Sequence, residues 1–256
     1  MPTRTLNDRS ARAATQATAG RWLLVQGFHA TLQRFADDWN AEPAGRRSTW
    51  LRTLAIGWVL GAALMLALVW LCRTQIEDET ALLQRVLEIL PMSFHAAIWI
   101  ETPGNSVFLL PITLLAVIIA IWWGAPLRAL SLAAAFVLID TLVLIGWWTW
   151  DRPRPDLVYG GIAAPGFHAF PSGHVAQTIA VYGLLAYFWV AASTRRLERA
   201  LAIMLCTLLV VIVALSRIRL GAHWPSDVVA GAILGGAWLA VLIVALRRAE
   251  AHRAAA

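Results

Sequence analysis

Six stretches of this chain are long and apolar enough to cross a lipid bilayer, and they bound the fold before any other residue is considered. A hydrocarbon core about 30 Å thick is crossed by about 20 helical residues. The stretches are Thr53–Leu71, Ser106–Trp123, Leu127–Trp148, His174–Ala192, Ala200–Ser216 and Asp227–Leu246. They predict an all-α protein, a six-transmembrane-helix bundle over 53–246, with an N-terminal tail 1–52 and a C-terminal tail 247–256. Composition agrees: 59% of residues are hydrophobic, 14% are charged and the mean hydropathy is +0.66, where a soluble domain carries roughly 25% charged residues. The 14 Trp fit indole rings gathered where acyl chains meet water.

Arginine placement sets the expected orientation. All 21 basic residues are arginine. Eight lie in Met1–Arg52, three in Thr194–Arg199 and three in Arg247–Ala256, with Arg128 between the second and third spans. Six spans put these segments on one side and leave Arg73, Arg85, Arg152, Arg154, Arg217 and Arg219 on the other. By the positive-inside rule both termini are cytoplasmic, and the acidic run Glu77-Asp78-Glu79 faces outward. The net charge of +6 is thus a matter of topology, and no nucleic-acid partner is expected. The alanine-rich, all-arginine composition fits a GC-rich bacterial source, and hence the bacterial inner membrane. A cleavable signal peptide is not expected, because the first apolar run starts so far from Met1. Within the tail, Trp22, Leu23, Leu24, Phe28, Leu32 and Phe35 of Arg21–Trp39 fall on one face of a helix suited to the cytoplasmic leaflet; a mobile tail is the alternative. Ala81–Leu90 is expected to form a similar short helix on the outer side. Cys72 and Cys206 lie at the end of one apolar run and inside another, so neither a disulfide nor a zinc site is expected.

Two outward connections are dense in polar residues. One holds Asp151-Arg152-Pro153-Arg154-Pro155 and then Pro171-Ser172-Gly173-His174; the other holds Ser216-Arg217, His223 and Asp227. On one side of the membrane they can meet at the ends of spans three to six. The chemistry they suggest is phosphoryl transfer. A guanidinium binds phosphate oxygens in pairs and stays charged, which suits Arg154 and Arg217. Ser172 and Gly173 precede an apolar run, so they stand at a helix N-terminus, where free N–H groups and the helix dipole attract an anion. Gly173 lets the backbone approach closely. His223, with Asp227 four positions on to orient its ring, reads as a nucleophile; a helix cap at the start of the last span, a task for which Ser226 competes, is the alternative or additional role of Asp227. His174 reads as the acid that protonates the leaving alkoxide and then as the base toward water. The arginines supply the positive charge, so no metal and no cofactor is expected.

In these residues the chain resembles the type 2 phosphatidic acid phosphatase (PAP2) family, relatives of the vanadium haloperoxidases and acid phosphatases. That family carries Lys-x6-Arg-Pro, Pro-Ser-Gly-His and Ser-Arg-x5-His-x3-Asp. The second motif is complete as Pro171-Ser172-Gly173-His174, and the third is complete from Ser216-Arg217 through His223 to Asp227. The first departs from the pattern: with Arg154-Pro155 as its end, Trp147 stands at the lysine position, and registering on Arg152-Pro153 puts Ile145 there. The resemblance implies hydrolysis of a membrane lipid phosphate monoester or diphosphate through a phosphohistidine, in an extracytoplasmic site. It offers phosphatidate, phosphatidylglycerophosphate, undecaprenyl diphosphate or a lipid A phosphate as substrates. Arg152 is expected to reach in from the loop in place of the lysine; a solvated loop position is the alternative. A lipid phosphotransferase with the same intermediate, or a lipid-phosphate binder that has lost turnover, are the competing functions. The spans argue against a haloperoxidase, since those relatives are soluble.

Four further features carry weaker expectations. Asp140, inside the third span, must face the bundle interior or a polar cavity; an interhelical hydrogen bond is favoured over a proton route. Trp147, Trp148 and Trp150 are expected in an interfacial belt, with a wall against the lipid as the alternative. His168 is expected to be a loop residue of no special role, with a headgroup contact as the alternative; His29, His95 and His252 are given no role. Arg219 is either a contact to a headgroup or second phosphate or a surface residue.

Overall fold

A computed structural model describes residues 25–76, 78–156 and 168–254, and all regular structure among them is helical. Helix α1 covers residues 25–41. It is followed by α2 (Ala44–Gln75), α3 (Thr80–Ile89), α4 (Phe94–Glu101), a 3₁₀ turn (Thr102–Gly104), α5 (Ser106–Trp122) and α6 (Pro126–Thr149). The chain ends with α7 (Gly173–Ala192), α8 (Arg196–Arg219) and α9 (Pro225–Ala254). Six helical stretches are long and apolar enough to cross a membrane: α2, the run Phe94–Trp122, α6, α7, α8 and α9. Five of them contain a predicted span whole, and Phe94–Trp122 contains Ser106–Trp123 but for its last residue. The first spanning helix, α2, starts at Ala44, inside the segment read as tail, and the second span is preceded by α4, which sequence reading did not find. Pro103 and Gly104 punctuate the chain there, and Asn105 restarts it by accepting from the Val107 N–H at 3.2 Å.

The predicted outward helix is present as α3. The predicted tail helix is present over 25–41, with Val25, Phe28 and Leu32 exposed and Phe35 and Trp39 packed on the core. Residues Arg21 to Leu24 of that expectation, Glu77 of the acidic run and the His252 side chain lie outside the described residues.

In lipid, apolar contact alone does not drive helices together, so packing rests on close approach and interhelical hydrogen bonds. Both are visible. Gly57 and Gly61 bring α2 against Val241 of α9 and Leu142 of α6. Trp50 Nε1 donates to Ser131 Oγ at 3.0 Å, Trp58 Nε1 to Thr141 Oγ1 at 2.8 Å and Trp238 Nε1 to the Ala134 carbonyl at 3.1 Å. These three tryptophans therefore fasten helices instead of standing in an interfacial belt, whereas Trp70, Trp99, Trp123 and Trp148 are exposed. The bundle's outer surface is apolar as well, with Ile56, Leu60, Val107 and Ile203 all exposed, as a lipid-facing surface requires.

The helices alternate, so connections collect at two ends. One end gathers the Arg46–Ala249 contact, with Nε donating to the carbonyl at 3.0 Å, and Arg34 stacked over Trp122. The other gathers residues 150–156, 168–172 and 220–224, and it holds the site. Here α8 is closed by a Schellman motif: Gly221, at φ 65°, donates to the Ile218 carbonyl at 3.0 Å and Ala222 donates to the Arg217 carbonyl at 3.1 Å. That turn brings His223 to the cavity that Arg217, in the last turn of α8, also lines. Pro225, with its fixed φ, then opens α9.

Candidate active site

His174, His223, Arg154, Arg217 and Gly173 line one cavity of about 460 Å³ at this end of the bundle. They come from three separate places: the loop after α6, the first turn of α7 and the end of α8 with its turn. The segments are laced together by backbone bonds. Ala169 N–H donates to the Arg152 carbonyl and Ser172 N–H to the Asp227 carbonyl, both at 3.0 Å.

His223 is buried, and its Nδ1 lies 2.7 Å from the Ala169 carbonyl oxygen. A carbonyl only accepts, so Nδ1 carries the hydrogen and Nε2 keeps its lone pair. The sequence reading gave the orienting task to Asp227, but Asp227 Oδ2 stands 3.7 Å from Nδ1. The carboxylate is instead engaged by the Trp224 N–H at 2.7 Å and by Arg152 at 2.5 Å. Asp227 thus caps the start of α9 and supplies charge behind the imidazole, while Ala169 fixes the ring. Burial pushes the His223 imidazole below its ordinary pKa; Asp227 opposes that, and Arg217 and Arg154 add to it.

The two guanidiniums differ. Arg217 is 4% exposed and donates through one terminal nitrogen to Glu101, while its Nε has no hydrogen-bond partner among the described residues. Burial, then repulsion from Arg217, pulls Arg154 below its ordinary pKa. Two cations held close in a buried cavity both gain when an anion joins them. Ser172, fully buried, also has an Oγ with no partner among the described residues. Its N–H is already given to Asp227, contrary to the expectation that both Ser172 and Gly173 offer backbone donors. The hydroxyl of Ser172 and the first-turn N–H groups of α7 from Gly173 onward remain for an anion.

Arg152 is not where sequence reading put it. Its guanidinium reaches Glu79 at 2.5 Å, Ser226 Oγ at 2.6 Å and Asp227 at 2.5 Å, and it stacks over Trp150 and Trp224. Two carboxylates and two indole faces outcompete the cavity for this cation, and Arg152 is absent from the cavity lining. It is a positioning residue. Arg152→Ala would leave buried Glu79 and Asp227 facing each other, and breaking such a pair costs about 3–5 kcal/mol. The expected result is a lowered melting temperature and a kcat reduced roughly 10- to 100-fold. Inhibition by inorganic phosphate should hardly change; weakened phosphate inhibition at unchanged kcat would return Arg152 to the anion site.

Other residues resolve as follows. Trp147 lines the cavity, so it is a wall and not part of a belt, while Trp148 is exposed and Trp150 covers Arg152. Asp140 accepts from Gln177 Nε2 across α6 and α7, the interhelical bond that was expected, and it also lines the cavity. Arg219 Nε donates to the Met92 carbonyl at 2.7 Å, a structural tie. His168 meets Asp151 at 2.6 Å, outside the cavity lining. Sequence reading missed Glu79 and Glu101, both 7% exposed. Glu79 was seen only as part of an acidic run, yet it accepts from the Ser226 N–H at 2.8 Å and from Arg152. The available signal for Glu101 was an acid at the mouth of an apolar span, directly before Thr102-Pro103-Gly104.

A six-span helical bundle with paired histidines and arginines meeting at one end defines the class of transmembrane PAP2-type proteins. Residues 128–250, just under half of the chain, match the PAP2 superfamily. It is similar to phosphatidylglycerophosphatase B of Bacillus subtilis (strain 168), with 31% identity over 86 residues, 33% of this chain and 41% of the relative. It is also similar to decaprenylphosphoryl-5-phosphoribose phosphatase of Mycobacterium tuberculosis, with 35% identity over 116 residues, 44% and 55% of the two chains. The chain thus spans about half the length of these relatives. The crystal structure of a transmembrane PAP2-type phosphatidylglycerolphosphate phosphatase from Bacillus subtilis shares the fold, with a TM-score of 0.60 and 24% identity over 75% of this chain and 96% of that one.

Proposed function

We propose that this chain is a lipid phosphate phosphatase working through a phosphohistidine, with its site on the extracytoplasmic side and both termini cytoplasmic. The observation that carries the reading is the single cavity lined by His174, His223, Arg154 and Arg217. The phosphate sits between the two guanidiniums, Ser172 Oγ and the N-terminus of α7 at Gly173. His223 Nε2 attacks phosphorus as the ester P–O bond breaks, and the departing alkoxide takes a proton from His174. Water then attacks the phosphohistidine, His174 takes its proton, the P–N bond breaks and inorganic phosphate leaves. Charge that gathers on the phosphoryl oxygens in each transition state is met by Arg154 and Arg217, fixed in place beforehand. Asp227 and Arg152 hold the start of α9, and the Ala169 carbonyl holds the ring of His223.

A lipid substrate is supported by the apolar exterior of the bundle around the site and by the names of both relatives, a phosphatidylglycerophosphatase and a decaprenylphosphoryl-phosphoribose phosphatase. Arginine distribution supports the orientation.

Purified protein in detergent is expected to release phosphate from lipid phosphates, and to do so in EDTA. Release from no member of a panel holding phosphatidate, phosphatidylglycerophosphate and a prenyl diphosphate would refute the activity. A reporter fused after Ala256 that matures only outside the cytoplasm would refute the orientation.

A further inference from the structure

The cavity is too large for a phosphate alone, and its inner wall is polar in a way the catalytic groups do not account for. Beyond the histidines and arginines its polar lining is Glu101, Asn105, Ser106, Asp140 and Gln177, beside the apolar Val143, Leu144 and Trp147. None of these polar residues lies in a PAP2 motif. Gln177 is three positions after His174 on α7, so the two share a helix face and Gln177 lies one turn further in. Asp140 from α6 accepts from the Gln177 amide, and Ser106 Oγ donates to Gln177 Oε1 at 3.4 Å. Glu101 holds Arg217 through Oε2, and Asn105 Oδ1 caps α5. These contacts use Glu101 Oε2, Asp140 Oδ1 and Asn105 Oδ1, and all three residues line the cavity. Arg217 lines the same cavity, and its buried Nε has no hydrogen-bond partner among the described residues.

Two consequences follow. The released group lies on the side of His174, which protonates it, so the atoms just beyond the scissile oxygen face this wall. Carboxylates and an amide there match hydroxyl groups, which donate to the first and accept from the second. Charge points the same way. Trp147 stands where the family pattern has a lysine, and Glu101 adds a carboxylate beside Arg217. A cavity with one cation fewer and one anion more is poorly matched to the extra charge of a diphosphate.

We propose that Glu101, Asn105, Asp140 and Gln177 form a hydroxyl-binding subsite inward of the phosphate cradle. The preferred substrate is then a lipid phosphate monoester with free hydroxyls next to the ester, as on a glycerol or sugar unit, and not a prenyl diphosphate. This rests on the phosphatase reading above. A site built around a hydroxyl rejects analogues lacking it, because its own polar groups are left unpaired.

The test compares kcat/KM of the full chain in detergent for phosphatidylglycerophosphate, phosphatidate and farnesyl diphosphate, with glycerol 3-phosphate and ribose 5-phosphate as soluble competitors. Phosphatidylglycerophosphate is expected to lead the other two lipids by at least about tenfold. The stronger competitor tells whether a glycerol or a sugar unit fits better. Glu101→Gln and Asn105→Ser are expected to shrink the lead to within about threefold. Asn105→Ser keeps the helix cap and leaves Glu101 on Arg217, so a collapse there is not an effect on the phosphate clamp. Equal turnover of all three lipids by the unaltered chain, or a lead that survives both substitutions, would overturn the subsite and leave the phosphatase reading standing. Absence of turnover on any lipid would overturn that reading itself.

Discussion

His223→Ala is expected to abolish turnover, lowering kcat by roughly 10⁴-fold or more, which corresponds to about 5.5 kcal/mol of activation free energy. The reason lies in how the ring is held. Its Nδ1 hydrogen is fixed on the Ala169 carbonyl at 2.7 Å, so Nε2 is presented as a lone pair without any rearrangement. Removing the ring takes away the atom that forms the new bond, and neither Arg154 nor Arg217 can replace a nucleophile. His174→Ala is expected to differ in kind. The bond to phosphorus can still form, but water lacks its base, so labelled phosphate from the donor accumulates on the protein. A label retained by His174→Ala and absent from His223→Ala assigns the two roles; a label on His223→Ala would remove the nucleophile from the mechanism.

The same histidine sets the acid side of the pH profile. Only the neutral ring attacks, so rate falls as pH drops through the His223 pKa. Burial places that pKa below the ordinary imidazole value, with Arg217 and Arg154 lowering it and Asp227 raising it. The acid limb therefore lies below the range of a free imidazole. Asp227→Asn removes the one group that raises it, so the limb moves further to acid, even as the plateau falls through loss of the Arg152 pair and the α9 cap. The substrate's own second phosphate ionisation, near pH 6, is common to both proteins and cancels in the difference.

How far the fold and site were legible follows from the range of each interaction. The spans were readable because a bilayer imposes a local rule, about 20 apolar residues in a row, and no distant residue can relax it. His174, Arg217 and His223 were readable because their motifs are short and carry their own helix ends: Ser172 before α7, and Gly221 turning the chain after α8. Arg152 was misread because its partners come from elsewhere. Nothing in Arg152-Pro153-Arg154 tells which arginine faces the cavity; Glu79, some seventy residues earlier, decides it by pairing with the first. Glu101 was missed for the same reason. Its role depends on α4 packing beside α8, and α4 sits ahead of the apolar run that announced the second span. Trp147 was assigned to a belt because a tryptophan at a span end usually is; the close packing of α6 and α7 turned it inward.

Gly231→Val carries the largest expected effect of any substitution outside the cavity. A β-carbon at 231 would stand 2.5 Å from the Ser172 carbonyl oxygen and 3.3 Å from its carbonyl carbon. These are backbone atoms of the turn that starts α7, so no rotamer change relieves the clash. Gly235, one turn on, makes the same approach to the Ala176 carbonyl at 2.7 Å. Together the two glycines let α9 lie against α7 closely enough for the Ser172 N–H to reach the Asp227 carbonyl. Spreading the helices breaks that bond and moves the anion-facing end of α7 away from His223. Overpacking of this kind costs about 1–3 kcal/mol, yet a displacement of roughly 1 Å in a catalytic site costs about 100-fold in rate. The variant is therefore expected to lose more activity than stability: turnover down about 100-fold or more, with a folded bundle in detergent. Gly236→Ala is the control, since a β-carbon there meets nothing within 4 Å. Its turnover should stay within about twofold, because it changes neither helix spacing nor the site. If both glycine variants behave alike, the α7–α9 approach does not hold the site together. If only Gly231→Val fails, the distance between two backbones, set by a missing side chain, positions the anion cradle against its nucleophile.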